Sequence, residues 1–274
     1  MQALFDSLGI ALNYTREMLI ATLIMARTMT MISLTPFVGG KLVPTEVKIG
    51  LGIMMTVLLW PIARDAVGPQ MPVTALPFLA LMLKEVFVGF AIGFANVHIY
   101  WAMEMAGRMI DTARMTSMSE VMVPHSGERA TPFGDMYYQI LLVIFVAVGG
   151  HHIFFEAYFY SFASIPVDKG LDFVGGMGGF FEHIYRLTGN ILLIATVLSA
   201  PIVAATLIAD VVFGILNRVA PQLNAYFMSM PVKALGGVIM ALLIMDQVFE
   251  RFYDYALWAL QAAERTIATL VVLR

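Results

Sequence analysis

Apolar stretches of near membrane-spanning length recur along the whole chain, and this pattern narrows the fold more than any other feature. A membrane helix needs about 20 mostly apolar residues. The first run covers residues 8–36 and is interrupted by Arg16, Glu17 and Arg27. The second, 47–62, reads as short for a full span. The third covers 78–110 and carries Lys84, Glu85, Glu104 and Arg108. The fourth, 133–165, has Gly149 and Gly150 in its middle and reads as two helical segments joined at the glycine pair. A Gly-rich connector at 166–179 leads to a fifth run, 187–216, containing Pro201 and Asp210. A break at 217–231 precedes the sixth, 232–245. The tail, 246–274, has Phe249, Phe252, Tyr253, Ala256, Leu257 and Leu260 at helical spacing, which predicts an amphipathic helix. These runs are read as helices because irregular backbone facing lipid leaves N–H and C=O groups unpaired. The short alternating segments of a transmembrane barrel do not occur.

Composition agrees. Of 274 residues, 60% are hydrophobic and 13% charged, with a mean hydropathy of +0.83. A soluble domain carries about a quarter charged residues, so the side chains that would cover a water-facing surface are scarce. The expectation is one membrane domain over 1–274. A net charge of -3 does not favour nucleic acid, which calls for a basic patch. With no cysteine there are no disulfides or thiolate metal sites. The first ten residues hold Asp6 and no Lys or Arg, unlike the basic start of a cleavable signal peptide. The 21 methionines fit two readings: leucine substitutes on apolar helices, or adaptable sealing and interface surfaces.

Charges inside the apolar runs carry the most information. An ionised side chain facing lipid costs at least ~2.5–3.5 kcal/mol on insertion scales. Arg16, Arg27, Lys84, Glu85, Glu104, Arg108 and Asp210 should therefore pair, face protein or line water. Arg16–Glu17 and Lys84–Glu85 are sequence neighbours, and adjacent helical residues face each other poorly. Their partners are expected on other helices or other chains. Lys41, Lys48, Arg64, Arg129, Lys169, Arg218 and Lys233 fall in successive loops, so the positive-inside rule assigns no orientation. Short, broken helices with internal charges suit a chain largely covered by other protein.

Particular blocks carry a family resemblance. Ala26-Arg27, Thr35-Pro36-Phe37 and Pro44-Thr45-Glu46-Val47-Lys48 form the first. Lys84-Glu85-Val86-Phe87-Val88-Gly89, continuing to Gly93-Phe94, forms the second. The third is Ala106-Gly107-Arg108-Met109-Ile110-Asp111, continuing through Arg114 to Pro124, Gly127 and Thr131-Pro132. The fourth is Ala220-Pro221-Gln222-Leu223-Asn224, followed by Pro231-Val232-Lys233. In this order they resemble the FliR/SctT family of the type III (flagellar or injectisome) protein export gate. Asp111, Arg114 and the 229–233 run lie closer to the injectisome branch. Met115 stands where the flagellar branch, and many injectisome members, carry glycine.

The resemblance implies an all-α fold: a membrane-associated bundle of broken helical hairpins that packs into a larger helical assembly. It implies a non-enzymatic subunit that joins FliP/SctR-like and FliQ/SctS-like proteins around a channel for unfolded protein substrates. FlhB/SctU-like and FlhA/SctV-like proteins are the expected neighbours, alongside membrane lipid. The implied location is the bacterial inner (cytoplasmic) membrane, in a secretion-system or flagellar basal body, extending toward the periplasm. The loop 112–132 is implied to plug the closed channel.

The residues themselves are compatible with that role. Met115, Met118, Val121, Met122 and Val123 could seal a narrow pore, and Pro124 and Gly127 would support a turn. An ordinary surface loop is the plain alternative. Gly89 and Gly93 have a small-xxx-small spacing that fits packing within the chain or between subunits. Glu85 reads as an internal polar anchor; Gln222 and Asn224 read as structural groups at a helix break. Arg27, Pro36, Asp111, Pro221, Pro231 and Lys233 are further structural or interface candidates. His152 and Glu156 could share a helix face, yet no third metal ligand stands at a matching spacing. No zinc-protease motif, P-loop or nucleophile elbow occurs. A secondary transporter of a small solute is the alternative function, since broken helices and intramembrane charges also fit that class. It should show an internal repeat, and none is evident. An intramembrane enzyme would need catalytic pairs that the sequence lacks.

Overall fold

The computed structural model describes residues 14–40, 43–68, 74–115, 131–170, 173–222 and 224–272, and every regular element among them is helical. In chain order these are α1 (Tyr14–Leu34), α2 (Pro36–Gly39), α3 (Thr45–Ala66), α4 (Ala75–Ala113), α5 (Pro132–Ala147), α6 (Gly150–Ser164), α7 (Phe173–Val219), α8 (Ala225–Leu243) and α9 (Met245–Val272). α1 stops before Thr35-Pro36 because the residue preceding a proline is biased away from helical backbone. Thr35 is extended (φ -79°, ψ 116°), and Pro36 opens α2, where a missing N–H costs nothing. α1 packs along α3. The side chain of Met29 meets Gly52, where an added Cβ would lie 2.4 Å from the Met29 sulfur.

The fourth run divides as the glycine pair predicts. α5 and α6 are bent by 74° at the Val148–Gly149 break. Gly149 makes the bend possible with φ 77°, a conformation that side chains rarely adopt.

Other boundaries differ from the sequence reading. α3 has 22 residues, enough to cross a bilayer, because it continues through Pro61. α7 begins at Phe173, inside the expected connector, and runs 47 residues through Pro201. α8 begins at Ala225 and passes Pro231, where a break was expected. Pro231 was placed in a break, but membrane helices tolerate proline because neighbouring groups satisfy the freed carbonyls.

The described residues form two compact units. The first holds those up to Val97, Gly149–Tyr185 and those from Ala259 onward; the second holds His98–Val148 and Arg186–Trp258. In the first, Ile20, Leu23, Ile24, Val88, Ile92, Phe154, Tyr158 and Phe162 are buried, and Phe37 packs edge-on against Phe154 with ring centroids 5.3 Å apart. In the second, Tyr100, Tyr137, Leu141, Phe145 and Phe252 are buried, and Tyr137 meets Phe252 edge-on at 5.2 Å.

α1, α3, α4, α8 and the Gly178–Val219 part of α7 are each long and apolar enough to cross a membrane. At ~1.5 Å per residue α4 is about 58 Å long, roughly twice a bilayer's hydrocarbon core. Lipid tails alone cannot cover such a helix along its whole length.

Candidate functional site

The first unit is organised around a buried cation with every N–H donor engaged. Arg27, on α1, is fully buried, as is Glu85 on α4. The Arg27 guanidinium grips the Glu85 carboxylate through Nε and through Nη2, the latter at 3.0 Å. Its Nη1 donates to the Ser161 carbonyl and hydroxyl, each at 3.1 Å, and Nη2 also donates to the Ile165 carbonyl at 2.9 Å. The guanidinium lies 4.2 Å from the Phe162 ring centroid, a cation–π contact. Lys84 pairs with the same Glu85 and donates to the carbonyls of Pro166 (2.9 Å), Val167 (3.3 Å) and Lys169 (3.1 Å). The last carbonyls of a helix have no partner within it. Here two cations satisfy the end of α6 and the chain beyond it, so α1, α4 and α6 are fixed by one polar knot.

Glycine lets the helices come that close. A Cβ on Gly89 would lie 2.3 Å from the Arg27 carbonyl oxygen, and one on Gly93 would lie 2.9 Å from the Leu34 Cβ. Both glycines therefore mark a crossing of α1 and α4 within the chain. Glu85 reaches a partner on another helix as expected, but it also meets its sequence neighbour Lys84, which was not expected. The long, flexible Lys84 stem brings its ammonium round to the carboxylate. Thr28 and Tyr158 add a buried hydroxyl pair at 2.7 Å.

In the second unit, polar groups close the root of the 116–130 segment. α4 extends to Ala113, so the first residues assigned to the loop are helical. Its end is marked by Met115 in the left-handed region, φ 61°. Asp111 is buried and accepts a 3.0 Å hydrogen bond from the Phe133 N–H, in the first turn of α5. Thr131, the residue capping α5, makes no side-chain cap bond, so the carboxylate from α4 does this work. Arg114 donates to the Ala234 carbonyl through Nη2 (2.7 Å) and Nε (3.3 Å), stands 3.8 Å from Asp111 and lies 4.6 Å from the Phe133 ring centroid. Desolvation lowers its pKa and Asp111 opposes that shift; an arginine stays charged in either case. Backbones meet here too: a Cβ on Gly107 would fall 2.3 Å from the Gly134 nitrogen, and one on Gly237 would strike Arg114 at 2.4 Å. The segment thus leaves from Met115 and returns at Thr131 beside one fixed polar cluster. Met118, Val121, Met122 and Pro124 lie outside the described residues.

The remaining candidates are dispersed. Arg16 and Arg64 both meet Glu17 at 3.5 Å, and Arg16 donates to the Val67 and Gly68 carbonyls at the end of α3. Glu104 and Arg108 form a helical pair at 2.6 Å. Lys233, almost fully buried on α8, pairs with Asp210 of α7. Pro221 and Gln222 are exposed in the turn between those helices. Asn224 caps α8 through its backbone position, without a side-chain cap bond. Pro36 is buried at the start of α2. His151 and His152 have ring centroids 4.0 Å apart in the first turn of α6, and no metal-binding group of three His, Cys, Asp or Glu occurs among the described residues. Ser161, Phe162, Phe133 and Gly134 were not singled out from sequence. Their roles come from carbonyls, rings and missing side chains, which leave no motif.

Comparisons with known proteins place the chain among export components. The chain is similar to Yop proteins translocation protein T of Yersinia pestis, 29% identical over 85% of this chain and 88% of that protein. It is similar to flagellar biosynthetic protein FliR of Bacillus subtilis, 28% identical over 78% and 81%. It is also similar to secretion system apparatus protein SsaT of Salmonella typhimurium, 32% identical over 61% and 63%. The translocation and secretion-system relatives, at 29% and 32%, stand slightly above the flagellar one at 28%, which slightly favours the SctT branch. Residues 18–257 match the family described as bacterial export proteins, family 1; the chain belongs to that family, the FliR/SctT family of type III export components, whose members are structural parts of an export apparatus rather than enzymes.

Proposed function

We propose that the chain is an export-gate subunit that surrounds a channel for unfolded protein together with FliP/SctR-like and FliQ/SctS-like proteins. FlhB/SctU-like and FlhA/SctV-like proteins are its neighbours. The assembly sits in the bacterial inner membrane and extends toward the periplasm, and the whole chain acts as one gate domain. The observation that carries this reading is how little of the apolar surface the chain covers by itself. Only 17% of the apolar window of α8 and 22% of that of α3 is buried within the chain.

Residues 112–132 act as the plug. Support comes from the fixed root at Asp111, Arg114 and Phe133, and from the methionine and valine content of the segment, which can seal a pore without a fixed geometry. Arg27, Glu85, Gly89 and Gly93 hold the subunit's own helices. Pro221, Gln222, Asn224, Pro231 and Lys233 present the α7–α8 hairpin to the assembly.

Mild extraction of the tagged full chain from a bacterium carrying its neighbouring genes, followed by identification of what co-purifies, tests the reading. Recovery of the FliP/SctR-like and FliQ/SctS-like proteins is expected. Isolation as a fully folded, monodisperse monomer that lacks them, or solute uptake by the reconstituted chain alone, would contradict it.

A further inference from the structure

The outer face of the α7–α8 hairpin suits neither lipid nor water. Asp210 stands on α7 in a long apolar segment and keeps 49% of its side chain exposed although Lys233 holds one carboxylate oxygen. Lipid against this face would meet a half-exposed carboxylate, which membrane insertion strongly disfavours. Water would meet Leu207, Ile208, Val211, Leu235 and Ile239, all more than half exposed and neighbours along the two helices. A contiguous apolar stripe of this kind marks an interaction site.

The local shape adds a second constraint. Gly214 lies one turn after Asp210, and Gly236 lies one turn after Lys233. A Cβ built at either glycine meets nothing within 4 Å. The surface beside the carboxylate is therefore bare backbone, and small residues there let another helix approach closely. Lys233 is only 3% exposed, so it offers no charge outward, and the group presented between the apolar side chains is the acceptor of Asp210.

We propose that this face docks an apolar helix of another protein subunit bearing one Lys or Arg, whose cation completes the pairing of Asp210 while its backbone seats over Gly214 and Gly236. This rests on the gate reading above and names the chemistry of one of its contacts. An arginine or lysine reaching in from a close helix gives Asp210 a charge-assisted bond on its open side, and the apolar stripe is covered by the same helix.

The chain has no cysteine, so an introduced thiol is unique. The test places Cys at Gly214 in the full chain, expressed with its secretion system, and cross-links it in intact membranes to lysines or thiols nearby. A cross-link to another subunit, mapped to an apolar helix beside a Lys or Arg, is expected. Asp210→Lys should reduce recovery of that subunit roughly tenfold or more, because it sets like charges together in an apolar setting. Exchanging the partner's basic residue for Glu should restore recovery. Gly236→Leu, which keeps the Asp210–Lys233 pair, should also reduce recovery while the chain remains membrane-inserted.

Cross-links confined to lipid, or to a second copy of this chain, would overturn the proposal. Full recovery with both Asp210→Lys and Gly236→Leu would also overturn it. If the type III neighbours co-purify but position 214 touches none of them, this inference fails and the gate reading stands. If no such neighbour co-purifies with the unaltered chain, the gate reading itself fails.

Discussion

The knot around Arg27 and the cluster around Asp111 are both buried charge pairs, yet they constrain different things. Arg27 donates all of its N–H groups, five hydrogen bonds in total, to Glu85 on α4 and to Ser161 and Ile165 at the end of α6. Removing any member strands a charge with no water to turn to. Asp111 ties the end of α4 to the first turn of α5, and Arg114 ties it to the Ala234 carbonyl of α8. The first arrangement specifies how helices pack. The second specifies where a segment leaves and returns.

Breaking the knot should have the largest effect. Glu85→Ala leaves the Arg27 and Lys84 cations uncompensated, a change that costs about 3–5 kcal/mol for a buried pair. The expected outcome is loss of the chain from the membrane fraction, read by immunoblot at native expression. Arg27→Lys should fail in the same way, since an ammonium cannot reproduce a planar fork of donors. Near-normal abundance of either variant would show that the knot does not hold the fold.

The helix crossing beneath the knot comes next. Gly89→Leu forces side-chain atoms into the Arg27 carbonyl, and overpacking of this kind costs about 1–3 kcal/mol. A lower unfolding temperature of the extracted complex is expected, with Gly89→Ala intermediate. Equal midpoints for both variants would mean that α1 and α4 separate without cost.

The Asp111 cluster should respond differently. Asp111→Ala removes the cap of α5, worth about 0.5–2 kcal/mol. The assembly should be recovered at close to its usual yield, while the closed complex leaks small ions. Loss of assembly with no leakage would make Asp111 one more structural anchor and erase the contrast between the two clusters.

The smallest change concerns Met115. Its left-handed backbone costs a non-glycine residue roughly 1–2 kcal/mol, partly offset by the extra freedom that glycine brings to the unfolded chain. Met115→Gly should therefore stabilise the complex by less than about 1 kcal/mol, seen as a small rise in its unfolding midpoint. A clear destabilisation would mean that the methionine side chain holds the turn by contacts of its own.

The sequence made the polar residues conspicuous and left their partners hidden. Arg27, Glu85, Lys84 and Asp210 stand out because charge in an apolar run is expensive. That Arg27 meets Ser161 and Ile165 depends on how α1, α4 and α6 pack, and carbonyl acceptors carry no residue signature. The Gly149 bend was legible because glycine supplies the left-handed backbone of a sharp break, although a glycine pair alone does not force one: Gly236–Gly237 stays helical within α8. Pro231 misled: it was read as the end of a break but sits inside α8, whereas Pro201 lies within the fifth run as expected and is carried inside α7; one proline costs a membrane helix a hydrogen bond that neighbouring groups make good. Met115 shows the reverse case. Its departure from the family's usual glycine was visible in the sequence, and the positive φ supplies the physical reason glycine is favoured there.

We propose that the segment rooted at Asp111 and Arg114 closes the channel without building the assembly. Ion conductance across membranes holding the closed assembly tests it most directly, comparing the unaltered chain with one whose residues 116–130 are replaced by a short Gly/Ser linker. Normal recovery of the assembly and a marked rise in conductance are expected. Conductance indistinguishable from that of the unaltered assembly, with secretion intact, would contradict it.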